Sequence, residues 1–232
     1  MRCSYVLWQQ LARTTAAASS CLFPQRLAAI ASLLLASGTL LFALPAVAHH
    51  PFGGETPVNA LEGLMSGLGH PVIGPDHFVF VIAIGLVALT QKRGFVLPIT
   101  FVLGTLAGTG WHLAAGDLPG AEMLISLSVV LLGVVLTTGQ TWPFVGLMAI
   151  SAIAGVLHGY AYGEAIVGAE MTPLVAYLLG FAVIQLIVAL VAYGIGHKLL
   201  GEVATVDRSS LRCIGFSILG AGAAFLSGVI LG

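Results

Sequence analysis

The sequence predicts an all-α integral membrane protein: a six-transmembrane-helix bundle behind an N-terminal signal peptide, its first membrane helix broken or kinked at Pro71–Pro75. Three observations predict it. Of the 232 residues, 58% are hydrophobic and only 7% charged, against roughly a quarter charged in a soluble domain. Six apolar blocks, each close to the ~20 residues that cross a bilayer core, succeed one another with short connections. The chain also opens with the layout of a secretory leader.

Residues 1–48 carry Arg2, Arg13 and Arg26 as their only charges. An apolar run from Leu27 to Leu44 precedes Ala46-Val47-Ala48, which fits a small-x-small cleavage site. The alternative is an uncleaved first membrane helix. Cleavage after Ala48 makes His49-His50-Pro51 the new N-terminus, and a free amine beside two imidazoles can chelate nickel, copper or zinc. The plainer reading is two polar residues at a chain end. Cys3 and Cys21 fall in the leader, so Cys213 is left alone and the mature chain has no intrachain disulfide.

Residues 49–232 form one membrane domain with spans expected at about 68–90 (with a helical lead-in from 58), 95–115, 121–138, 143–161, 173–197 and 210–231. Gly104, Ala107 and Gly108 on the second span, and Gly215, Gly220, Gly222 and Gly228 on the last, are small residues of the kind that let membrane helices approach closely. With the leader removed, the N-terminus lies outside. Lys92 and Arg93 then fall in the first cytoplasmic loop, and Lys198, Arg208 and Arg212 flank the third. All five Lys and Arg of the mature chain share one side, as the positive-inside rule requires. The C-terminus is also expected outside. Glu55, Glu62, Asp117, Glu122, Glu164 and Glu170 make the outer face acidic, which concentrates cations there. A net charge of −1 argues against nucleic acid as a partner. Nothing in the sequence identifies a partner subunit.

The chemistry gathers at Gly69-His70-Pro71-Val72-Ile73-Gly74-Pro75-Asp76-His77. Ionisable groups inside a hydrophobic span are costly and mark a functional site. By the topology above, His70, Asp76, His77, His112 and His158, with Glu164 close by, fall in one layer near the external surface. His197 is at the cytoplasmic end beside Lys198 and reads as an interfacial residue. Gln185 either lines a path or hydrogen-bonds a neighbouring helix, the second being common in membrane bundles. In a regular helix His70 and His77, seven residues apart, stand ~10 Å apart along the axis. One ion with ligands at ~2 Å cannot then be held by both. Either the helix opens at the prolines or the two imidazoles serve successive ion positions. Asp76 and His77 point about 100° apart, so one can ligate while the other orients a ligand from elsewhere. Imidazole with carboxylate suits nickel, cobalt or zinc, and affinity order alone does not separate them.

The run His70-Pro71-Val72-Ile73-Gly74-Pro75-Asp76-His77 resembles the His-Pro-x-x-Gly-x-Asp-His signature of the HupE/UreJ family of nickel and cobalt permeases. Leu157-His158-Gly159-Tyr160-Ala161, with Glu164 nearby, is similar to a second motif of that family, although Tyr162 stands where members often carry a histidine. The resemblance implies uptake of Ni²⁺ or Co²⁺ through His70, Asp76, His77 and His158, with Glu164 as a further candidate. The ion is cargo, and no prosthetic group is expected. No Walker-type loop is present, so the chain does not itself hydrolyse ATP. Two rival readings use the same residues. A membrane-embedded zinc hydrolase would hold zinc with three histidines and an aspartate, and could recruit Ser151 two turns from His158. A haem site would need His112 and His158 to face each other.

Overall fold

Every helix boundary below comes from a computed structural model that describes residues 55–201 and 203–231; the leader, His49 and His50 lie outside the described residues. Seven helices make up the regular structure there: α1 (Ala60–Ile73), α2 (Pro75–Ala88), α3 (Val96–Leu113), α4 (Ala121–Thr137), α5 (Phe144–Glu164), α6 (Met171–Leu200) and α7 (Arg208–Leu231). Among the described residues there is no strand.

The expected first span is two helices. Pro75 bars Gly74 from helical geometry because its ring crowds the preceding residue. Gly74 is accordingly extended, with φ −73° and ψ 105°. Its N–H closes the last turn of α1 on His70 O at 3.1 Å, and its carbonyl accepts from Phe78 N at 2.9 Å to open α2. Pro75 takes the first helical position, where a missing N–H costs nothing. The two axes differ by 77°. At the other end of α1, Asn59 accepts from Glu62 N at 3.0 Å and Glu62 accepts from Val58 N, so the two side chains cap orphan backbone donors at the helix start.

α3, α5, α6 and α7 are each long and apolar enough to cross a membrane, and the bent α1–α2 pair makes a fifth candidate. α4 has 17 residues, which gives a length of about 25 Å against a hydrocarbon core of about 30 Å. The outward faces are apolar: α6 buries Tyr177, Phe181, Gln185 and Ala189 and turns Val175, Leu179, Val183, Ile187 and Val191 outward. An apolar exterior of this extent suits lipid rather than water.

Glycines set the helix registers. A Cβ at Gly67 would meet Tyr177 O at 2.2 Å, one at Gly159 would meet Thr105 O at 2.0 Å, and one at Gly222 would meet Val130 N at 2.7 Å. These contacts lock α1 on α6, α3 on α5 and α4 on α7. Gly104, Gly108 and Gly215 act similarly, whereas Gly220 and Gly228 have open space around them and pack nothing.

The connections sort into two ends. At one, Gln91 donates to Trp142 O and Arg208 to Gly139 O; at the other, Thr56 donates to Val167 O and Tyr160 to Gly116 O. Lys92, Arg93, Lys198, Arg208 and Arg212 belong to the first end. The larger core, which reaches the first end, includes Phe80, Ile84, Leu97, Phe101, Leu132 and Leu147, and a smaller one beneath the second end packs Tyr162, Ile166, Tyr177 and Phe181.

Candidate metal site at the broken helix

The break brings together two rings that a regular helix would hold apart. With the axis turned at Gly74, the His70 and His77 rings stand 5.8 Å apart, centroid to centroid. A metal bound at ~2 Å by two imidazole nitrogens joins rings whose centroids are up to about 6 Å apart. One ion can therefore lie between these two. Both rings are buried, and Tyr162 packs edge-on against each, at 5.0 Å from His70 and 4.7 Å from His77.

Hydroxyl groups fix which nitrogens carry protons. Ser128 Oγ donates its one hydrogen to Ile125 O at 2.6 Å. It must then accept from His158 Nε2, 2.9 Å away. Neutral His158 consequently has a bare Nδ1, which accepts from His77 Nδ1 at 2.8 Å. The lone pair of His77 is left on Nε2. The same logic runs through α6. Tyr177 donates to Tyr162 O at 2.8 Å, so it accepts from His70 Nδ1 at 3.3 Å, and the lone pair of His70 also falls on Nε2. Two imidazoles are thus each held through Nδ1 by a partner on another helix. An N–H donated to an orienting group is the usual support of a metal-binding histidine.

The other candidates are placed as follows. Asp76 is half-buried in the first turn of α2, where its Oδ1 accepts from the backbone N–H of His77 at 2.8 Å. His158 is fully buried with both ring nitrogens engaged, which makes it an orienting partner of His77 rather than a direct ligand in this arrangement. His112 is half-buried and packs on Tyr160 at 4.4 Å; its Nδ1 has no hydrogen-bond partner. Glu164 ends α5 in an exposed position. His197 is exposed at the basic end, 6.0 Å from Tyr193. Among the described residues no three His, Cys, Asp or Glu side chains already form a metal cage. Two imidazoles alone would leave the remaining coordination of an ion to water or to groups that close on it.

Ser151 is not brought to His158: it donates to Leu147 O at 2.8 Å in its own helix. Nor does His158 have a ring nitrogen to spare for a haem, since both are engaged by His77 and Ser128. Beneath His158 lie Phe80 and Phe101, at 4.5 and 5.5 Å, as a buried aromatic floor. Ser128 and Tyr177 escaped the sequence reading. The available signal was a hydroxyl-bearing residue inside an otherwise apolar helix, and it does not say which helix the hydroxyl faces.

Comparison with known proteins finds relatives for the chain. A family profile described as "HupE / UreJ protein" matches residues 36–225. The curated Protein HupE of Rhizobium leguminosarum bv. viciae is 28% identical over 188 residues, covering 80% of this chain and 93% of that protein. No solved structure matches.

Proposed function

Starting from the premise that the chain belongs to the HupE/UreJ family, which is related to nickel and cobalt transport, we propose that it is a secondary permease for a transition-metal dication, Ni²⁺ or Co²⁺, with Zn²⁺ the other ion its donors suit. The observation that carries this reading is the pair His70 and His77, whose rings the break at Gly74 brings to 5.8 Å and whose Nδ1 atoms are each held by a side chain of another helix.

In this reading the basic end faces the cytoplasm and the imidazole layer lies near the periplasmic side of the inner membrane, with both termini of the mature chain outside. The chain crosses six times: the bent α1–α2 pair is one crossing and the short α4 another. Residues 1–48 are a cleaved leader, and His49 and His50 gather ions at the rim with Glu164 and the other external acids. His112 is a further donor near the entrance. A dication arriving there exchanges water for His70 and His77, with Asp76 supplying negative charge close by and His158 orienting His77. Dehydration is costly, so the seat combines nitrogen ligands with a carboxylate while leaving positions open for release. The membrane potential favours inward movement of a dication by roughly 4–5 kcal/mol per 100 mV.

The test is accumulation of ⁶³Ni and ⁵⁷Co in cells lacking their own importers, with the chain, without it, and with Asp76→Asn. The parent chain raises accumulation and Asp76→Asn removes most of the gain. Equal accumulation in all three would refute the permease reading.

A further inference from the structure

Gln185 is 1% exposed and lies eight residues beyond Tyr177 on α6, about 12 Å further toward the basic end. Between them the helix carries only Leu178, Leu179, Gly180, Phe181, Ala182, Val183 and Ile184, so Gln185 is the next polar side chain inward from the imidazole layer along this helix. Its amide cannot be turned over. The atom 2.9 Å from Phe181 O must be the nitrogen, because a carbonyl only accepts. The same nitrogen lies 3.5 Å from Thr105 Oγ1 on α3, whose own hydrogen goes to Val102 O. Both amide hydrogens therefore have acceptors, and the carbonyl end is fixed in place by them.

That carbonyl oxygen, Oε1, is buried without any hydrogen-bond partner. A residue kept only to tie two helices together through its N–H groups gains nothing from burying a bare acceptor at the same time. A pre-oriented oxygen with no donor to receive suits a cation. The direct way down beneath His158 is closed by Phe80 and Phe101, 4.8 Å apart and both buried. Gln185 lies on the same helix as Tyr177, the hydrogen-bond partner of His70.

We propose that Gln185 Oε1, held by Phe181 and Thr105, is an oxygen ligand that receives the dication after it leaves His70 and His77. The inference rests on the permease reading. A neutral carbonyl binds such an ion more weakly than two imidazoles beside a carboxylate, so the transfer runs from a capturing site to a releasing one, as conduction requires. Thr105 acts as a positioning residue by keeping the amide turned.

The experiment compares the parent with Gln185→Met, which keeps the volume without the oxygen, and Gln185→Glu, which keeps an oxygen there. Two quantities are read: ⁶³Ni uptake per folded molecule, and equilibrium Ni²⁺ binding to the purified full chain. Gln185→Met is expected to lower uptake by about tenfold or more while changing Ni²⁺ affinity by less than about threefold, and Gln185→Glu to keep more than about a third of parental uptake. Parental uptake in Gln185→Met would overturn the inference and leave the permease reading intact. Equal loss in both variants together with lost binding would also overturn it, by reducing Gln185 to a structural role. A parent that moves no nickel or cobalt at all would refute the permease reading itself, and this inference with it.

Discussion

The two ends of the bundle both carry buried or half-buried polar groups, and they use them differently. At the basic end Arg208 donates to Gly139 O and Thr141 Oγ1, Arg212 to Thr137 O, and Gln91 to Trp142 O. These donors mostly meet backbone carbonyls, which closes loops and the last turn of α4 and leaves little to change. At the other end some bonds also go to carbonyls, but side chains partner one another as well: His77 with His158, His158 with Ser128, His70 with Tyr177. Such a network has protons that can be placed in more than one way and lone pairs that can be offered to something else. Bonds to carbonyls at helix ends hold the fold. Chains of imidazole and hydroxyl groups prepare a site.

The widest separation between the ends should come from His77→Ala. It removes one of the two nitrogens and unseats His158, and nickel uptake should fall by about a hundredfold or more while folded protein is retained in detergent extracts. Gly74→Ala comes next. Its Cβ would stand 2.6 Å from His77 Cδ2, so the ring must shift, and uptake should drop by roughly tenfold. Parental uptake in this variant would mean the ring position at the break does not matter. Ser128→Ala leaves His158 Nε2 without its acceptor and loosens the proton order. Equilibrium dialysis with ⁶³Ni should show affinity weakened by about five- to tenfold. The smallest effect on transport belongs to the basic end: Arg208→Met should lower stability by about 1 kcal/mol in thermal unfolding and leave uptake near parental. If it cut uptake as deeply as Ser128→Ala, the division between a holding end and a working end would fail.

Much of this was legible in the chain and some was not. The four long apolar helices lie within three residues of the expected segments at each end because length and hydropathy alone mark them; α3 was expected at 95–115 and is Val96–Leu113. The break was legible in Gly74-Pro75, since proline constrains its predecessor whatever the tertiary context. Its size was not, and the size decides whether His70 and His77 can share an ion. Pro71, which looked like a second breaking point, lies inside α1 near its end. The role of His158 was also beyond reach. Its partners depend on how α5 is rotated and raised against α2 and α4, which is set by contacts such as Gly159 on Thr105 that spacing along one helix does not encode. Tyr162 was noticed only as a departure from a motif, yet its ring lies against both imidazoles.

The central claim is that one dication sits between His70 and His77, each bound through Nε2. X-ray absorption at the nickel edge of the Ni²⁺-loaded full chain, compared with His70→Ala and His77→Ala, reads imidazole ligation directly. Two imidazole nitrogens at about 2 Å in the parent, and one in each variant, is the predicted result. A parent spectrum with no imidazole scattering, or a count that His70→Ala leaves unchanged, would contradict it.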